Sequence, residues 1–111
     1  WLLTNAMEDV IKSGTATKAR FKKISLAQAG KSGTTTHNKD LWFVGYTPYY
    51  TCAVWSGYDN NEKIPEDARN FHKNLWKKVM TRIHEGLEDK DYKTIFYHNC
   101  FHLYQMRETC H

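Results

Sequence analysis

LWFVGYTPYYTCAVWSGY, residues 41–58, decides the fold. The run is β-branched and aromatic on both sides of a break at Thr47-Pro48-Tyr49-Tyr50. Residues 41–47 and 51–58 therefore read as two strands, with Pro48 suited to the second position of the turn between them. So short a connection implies antiparallel pairing. Both strands are apolar on both faces, which predicts cover on both. Upstream, ISLAQAGKSGTTT (residues 24–36) alternates weakly and runs into a polar turn cluster, THNKD (residues 36–40). A third strand there completes an antiparallel meander.

Helices flank the meander. Leu2, Leu3, Ala6, Met7, Val10 and Ile11 recur at three- and four-residue spacing, predicting a helix over 2–11. Ser13-Gly14 ends it, on the expectation that Gly14 takes a left-handed cap. TATKARFKK, residues 15–23, reads as a polar connector. A second helix is predicted over 65–85, opening on Pro65, Glu66 and Asp67 as the helix dipole prefers and stopping at Gly86. Its expected core stripe is Ala68, Phe71, Leu75, Val79 and Ile83, with Trp76 and Met80 beside it. The fold class is then α+β: a three-stranded antiparallel meander flanked by two helices. So small a sheet reads as part of a larger one.

The chain has 111 residues, 41% of them hydrophobic and 14% aromatic, enough for one globular unit. No apolar run reaches the length of a membrane-spanning helix. The opening, WLLTNAMEDV, has neither a start Met nor a basic flank and reads like the middle of a longer protein. The net charge is +4, but the basic residues are scattered and no nucleic-acid signature accompanies them, so no nucleic-acid partner is expected. Cys52, Cys100 and Cys110 are too few, and odd in number, for a disulfide scaffold. Cys52 reads as a small buried hydrophobe.

The chemistry lies just before the hairpin. Lys31-Ser32-Gly33-Thr34 ends the first strand, with Lys31 and Gly33 on one face and Ser32 and Thr34 on the other. On an edge strand the free N–H and C=O groups can pair with an extended peptide. The tetrapeptide matches the Lys-Thr/Ser-Gly motif of penicillin-binding proteins. Here it extends through Ala29-Gly30, Thr35, Asp40, Trp42-Phe43-Val44-Gly45-Tyr46-Thr47-Pro48, Val54-Trp55 and Gly57-Tyr58-Asp59-Asn60. Residues 2–90 resemble class A, bifunctional penicillin-binding proteins. The resemblance makes this chain the C-terminal part of a five-stranded transpeptidase fold, with two further strands beside residues 51–58. Residues 1–91 then form that part, and residues 92–111 a tail of uncertain origin.

The resemblance also implies roles. Lys31 and Thr34 are catalytic: Lys31 supplies fixed positive charge, and the Thr34 N–H is one of two oxyanion donors. Ser32, Gly33, Thr34 and Thr35 are substrate-binding, the Ser32 and Thr34 hydroxyls taking a terminal carboxylate. The implied partners are a peptidoglycan stem peptide ending in D-Ala-D-Ala, β-lactams and the rest of the parent domain, with no cofactor. The parent is expected to be a serine-type transpeptidase fused to a glycosyltransferase, anchored in the bacterial cytoplasmic membrane with this domain outside. The family's nucleophile sits in Ser-x-x-Lys and its second motif is Ser-x-Asn. Ser13, Ser25, Ser32 and Ser56 open neither. Thr15-x-x-Lys18 and Thr36-x-x-Lys39 have the spacing but lie in polar connectors. The chain alone is therefore expected to be inactive, and its cut domain to self-associate.

Other clusters carry less. Glu66-Asp67, Glu88-Asp89 and Asp91 read as solvated acids around a helix, His72 and His84 as surface or packing residues, and His37 as a turn residue. His98, Cys100, His102, Cys110 and His111 in the tail match no zinc spacing, and no metal is expected. A Cys100–Cys110 disulfide and a tail unrelated to the family's continuation remain open readings. Two further classes stay beside the transpeptidase: a small basic binding module, and a D,D-carboxypeptidase or β-lactamase relative.

Overall fold

The structure, a computed structural model, describes residues 1–22 and 26–93. Helix α1 spans Leu2–Lys12 and is followed by a short 3-10 turn at Thr17–Ala19. Strands β1 (Ala29–Thr34), β2 (Asp40–Tyr46) and β3 (Thr51–Gly57) form one antiparallel sheet in the order β1-β2-β3. A 3-10 turn at Glu66–Ala68 leads into helix α2, Phe71–Ile83. The α+β meander with two helices is the architecture the sequence predicts.

The hairpin turn is the expected one. The Thr47 amide donates to the Tyr50 carbonyl at 2.9 Å, with Pro48 at the second position. Leu41 lies opposite Ser56, Phe43 opposite Val54 and Gly45 opposite Cys52. Leu41, Phe43 and Val54 are buried, and α2 packs against this part of β2 and β3. The core gathers Ile11, Phe21, Leu26, Phe43, Val54, Trp76 and Met80, with Phe43 and Trp76 edge to face, their ring centroids 5.1 Å apart. Gly30 and Gly45 face each other across β1 and β2. A Cβ on Gly45 would stand 2.5 Å from Trp76 Cζ2, and one on Gly30 2.7 Å from Phe43 Cζ. Bare backbone here lets both rings lie directly on the sheet.

Several expectations need correction. Among the described residues the face opposite α2 is covered at one end alone, where Tyr46 meets the Thr4 hydroxyl at 3.1 Å and the Tyr92 ring. Farther along that face Trp42, Val44 and Trp55 are exposed, at 45%, 43% and 44%. The second helix is shorter than 65–85, because Pro65 is extended (ψ 153°) and the α-helix begins only after Asn70. Its buried row is His72, Trp76, Met80 and, just past its end, His84. Phe71, Leu75, Val79 and Ile83 are all exposed. Gly86 does adopt the left-handed conformation (φ 78°), but Gly14 does not. Gly14 is small for another reason: a Cβ there would meet Val10 Cα at 2.8 Å.

The connector is more than polar. Ala16, Ala19 and Phe21 are buried in the core. Gln28 bonds both ways with the Phe21 backbone, accepting its N–H at 3.2 Å and donating to its carbonyl at 3.1 Å, so the connector is pinned to the start of β1. The fold continues through Tyr92, which is buried against Tyr46 with its hydroxyl on the Tyr46 carbonyl. Burial, then Tyr46 and Glu8, push that phenol far above its ordinary pKa. The tail groups at His98, Cys100, His102, Cys110 and His111 lie outside the described residues.

Candidate functional site

Lys31, Ser32, Gly33 and Thr34 form the outer edge of the sheet. The direction of each backbone group follows from the ladder, because hydrogen-bonded and non-bonded pairs alternate along antiparallel strands. The Thr35 amide donates to the Asp40 carbonyl at 3.1 Å, which makes that pair hydrogen-bonded. With the register unbroken through Thr34↔Leu41, Gly33↔Trp42, Ser32↔Phe43 and Lys31↔Val44, Lys31 and Gly33 bond toward β2. Ser32 and Thr34 turn their N–H and C=O groups outward. The Ser32 carbonyl agrees: it accepts Lys31 Nζ at 2.7 Å.

The side chains divide between two faces. Lys31 and Gly33 share theirs with the exposed Trp42, Val44 and Trp55, while Ser32 and Thr34 share theirs with the buried Leu41 and Phe43. Lys31, Thr34 and Thr35 are exposed; Ser32 and Gly33 are half-buried. The structure thus joins these residues along one backbone edge rather than in a cluster of side chains. A Cβ on Gly33 would only touch Trp42 Cβ at 3.4 Å, so nothing within this chain demands glycine there.

The site is cationic on one side. Lys73, from α2, donates to the Thr15 carbonyl at 3.0 Å. Burial holds its pKa below the ordinary value, and the charges of Lys18 and Lys31 lower it further. The edge strand therefore sits in the combined field of three ammonium groups.

The other end is a hydrogen-bonded turn. His37 and Asn38 both adopt positive φ, 65° and 54°, which explains the turn reading of His37. The Asn38 carbonyl accepts the Ile64 amide at 2.9 Å, tying in the loop after β3. The Thr35 hydroxyl is engaged within the hairpin: it accepts the Asp40 amide at 2.9 Å and donates to Asp40 Oδ2 at 3.2 Å. Asp40 Oδ1 accepts the Trp55 indole N–H at 3.1 Å. Sequence reasoning quoted Asp40 without giving it a part. The available signal was a Thr and an Asp bracketing a four-residue loop beside the motif.

His72 and His84 pack in the interior. Nδ1 of His84 faces the Met80 carbonyl at 2.6 Å and so carries a proton, and Nε2 faces Thr47 Oγ1 at 2.7 Å. Thr47 Oγ1 already accepts the Tyr49 and Tyr50 amides, both at 3.2 Å. Thr47 Oγ1 thus gathers two backbone amides and the His84 ring at one point. Cys52 is a free, half-buried thiol packed against the core, its pKa raised by burial. No group of three or more metal-ligating side chains occurs among the described residues, and no helix there is long and apolar enough to cross a membrane.

No family model matches the chain. Its sequence is similar to penicillin-binding protein 1A of Clostridium perfringens (strain 13), 35% identical over 91 residues, which is 82% of this chain and 13% of that protein. It is 34% identical over 93 residues to penicillin-binding protein 1F of Bacillus subtilis (strain 168), covering 77% of this chain and 13% of the relative. Over 65 residues it is 43% identical to penicillin-binding protein 1A of Pseudomonas aeruginosa, covering 58% of this chain and 8% of the relative. The chain spans about an eighth or less of the length of these curated relatives.

Proposed function

The chain belongs to the penicillin-binding proteins, in the class A group, and from that premise we propose that it is the C-terminal part of a serine-type D,D-transpeptidase domain. In the parent, a serine supplied by another segment attacks the carbonyl of the penultimate D-Ala of a stem peptide. D-Ala leaves, and the acyl group passes to a neighbouring amine, cross-linking the wall. β-Lactams acylate the same serine. The parent also carries a glycosyltransferase domain and a membrane anchor, with this domain outside the membrane.

One observation carries the reading: in Lys31-Ser32-Gly33-Thr34 the edge strand turns the Ser32 and Thr34 backbone groups outward. A stem peptide can add to that edge as a further strand. The outward Thr34 N–H is then a donor for the oxyanion, in a position whose loss costs on the order of 3 kcal/mol of barrier. Lys31, Lys18 and Lys73 supply the positive field that a terminal carboxylate needs, and the Ser32 and Thr34 hydroxyls are neutral donors on the same strand. Nothing among residues 1–111 supplies Ser-x-x-Lys, so the chemistry needs the rest of the domain. Intact-mass measurement tests both halves of this. This chain incubated with labelled penicillin gains no adduct, whereas the full-length enzyme gains one, on a serine outside residues 1–111. A stable adduct on any Ser or Thr of this chain refutes the assignment.

A further inference from the structure

We propose that Asp40 is a positioning residue for the Thr34 amide, acting through Thr35 and Trp55; the inference rests on the transpeptidase reading above. Thr34 is the last residue of β1, and its pairing with Leu41 is of the non-bonded kind. Such a residue is held only by the hydrogen-bonded pairs on either side of it. One is Gly33↔Trp42, inside the ladder. The other is Thr35 with Asp40, at the mouth of the hairpin. Beyond it the chain passes through two left-handed non-glycine residues, His37 and Asn38, a costly conformation; the turn's own bond, from the Asn38 amide to the Thr35 carbonyl at 3.0 Å, joins Thr35 to the loop and not to β2.

Asp40 closes it with both backbone and side chain. Its carbonyl accepts the Thr35 amide at 3.1 Å. Its amide donates to Thr35 Oγ1 at 2.9 Å, and its carboxylate accepts that same hydroxyl at 3.2 Å. The second carboxylate oxygen takes the Trp55 indole N–H at 3.1 Å, which anchors the mouth to β3. The indole reaches Asp40 because Gly57, opposite Asp40 in the register, has no side chain. A Cβ there would stand 2.5 Å from Trp55 Cζ2 and 3.2 Å from Asp40 Oδ1. Three strands therefore converge on one carboxylate, and the Thr34 N–H hangs between that anchor and the ladder. An oxyanion donor works only when it is already aimed, so loosening the mouth weakens transition-state binding more than ground-state binding.

The test uses the full-length enzyme that contains this chain, with a chromogenic β-lactam under single-turnover conditions. Asp40→Ala lowers the acylation rate constant by about tenfold or more. Non-covalent affinity stays nearly unchanged, and so does the acylated amplitude per molecule. Asp40→Asn recovers much of the rate, because its amide oxygen still accepts the indole. A merely structural Asp40 gives the opposite pattern, with reduced amplitude and a parental rate constant in the surviving molecules, and that result overturns the proposal. If Asp40→Ala does not fold, Trp55→Phe removes only the indole donor and lowers the rate constant by about threefold at full amplitude; a parental rate in Trp55→Phe then refutes the clamp. Lys31→Ala is run alongside. If it acylates at the parental rate, the transpeptidase assignment fails whatever Asp40 does. If it is slow while the clamp variants are parental, only the Asp40 proposal fails.

Discussion

Two buried histidines behave differently from the edge residues they support. His72 lies 2% exposed, and its Nδ1 has no hydrogen-bond partner among the described residues. Burial, then the neighbouring Lys73, hold its pKa below the ordinary 6.5. Between the folded and unfolded values the unfolded chain binds more protons, so stability rises with pH. It is complete above about pH 6.5 and declines as the pH falls below it. Urea midpoints at pH 7.5 and 5.5 will show that loss, and His72→Leu will flatten the part of the slope due to this side chain. Thr47 serves the other histidine: Thr47→Val strips the acceptor from two amides and a hydrogen-bond partner from His84, costing about 1–3 kcal/mol in urea denaturation. At the edge, Lys31→Ala in the full-length enzyme slows acylation, since a fixed charge leaves the site. Thr34→Ala keeps its N–H and mainly weakens carboxylate binding. Acylation kinetics of the two variants separate these effects.

At the scale of elements, the meander was legible because aromatic and β-branched runs broken by Thr47-Pro48 leave few alternatives. The motif was legible as a strand end for the same reason, and its face alternation follows from period two. Helix α2 was misread by one row. Its buried row contains His72 and His84, which any count of apolar residues scores as polar, so the neighbouring row of Phe71, Leu75, Val79 and Ile83 looked stronger. What selects the true row is tertiary. The Trp76 ring lies over Gly45, and its indole N–H reaches the Cys52 carbonyl at 3.0 Å. A partner on another element leaves no trace in helical periodicity, and neither does the Asp40–Trp55 bond. Gly45→Ala tests the selection: its Cβ must displace Trp76, and the overpacking costs about 1–3 kcal/mol. Thermal or urea unfolding measures it, with Gly33→Ala, whose Cβ has room here, as the neutral comparison.

At the scale of the whole molecule, the described residues dress the sheet fully on one face and at one end alone on the other. Trp42, Val44 and Trp55 on the bare side, and the exposed row of α2, leave apolar surface that the remainder of a five-stranded domain would cover. Flat apolar surface and a β3 edge that is unpaired among the described residues associate with other copies. Sedimentation of this chain should therefore show concentration-dependent oligomers, and Trp42→Ser with Val44→Lys should shift it toward monomer. The apolar TIFYH segment, residues 94–98, as a cover for that edge lies outside the described residues. A monomer at all concentrations would mean that the bare side is covered from within the chain.

The four tryptophans fall into two optical classes, largely because of that uneven dressing. Trp76 is sealed at 0% exposure, while Trp1, Trp42 and Trp55 stand at 50%, 45% and 44%. Acrylamide should therefore quench most of the emission of the isolated chain and leave a blue-shifted remainder from Trp76. When the rest of the domain packs over that face, Trp42 and Trp55 pass into the protected class, and the quenchable fraction drops without any label. The chain thus carries its own gauge of whether the rest of the domain has found it.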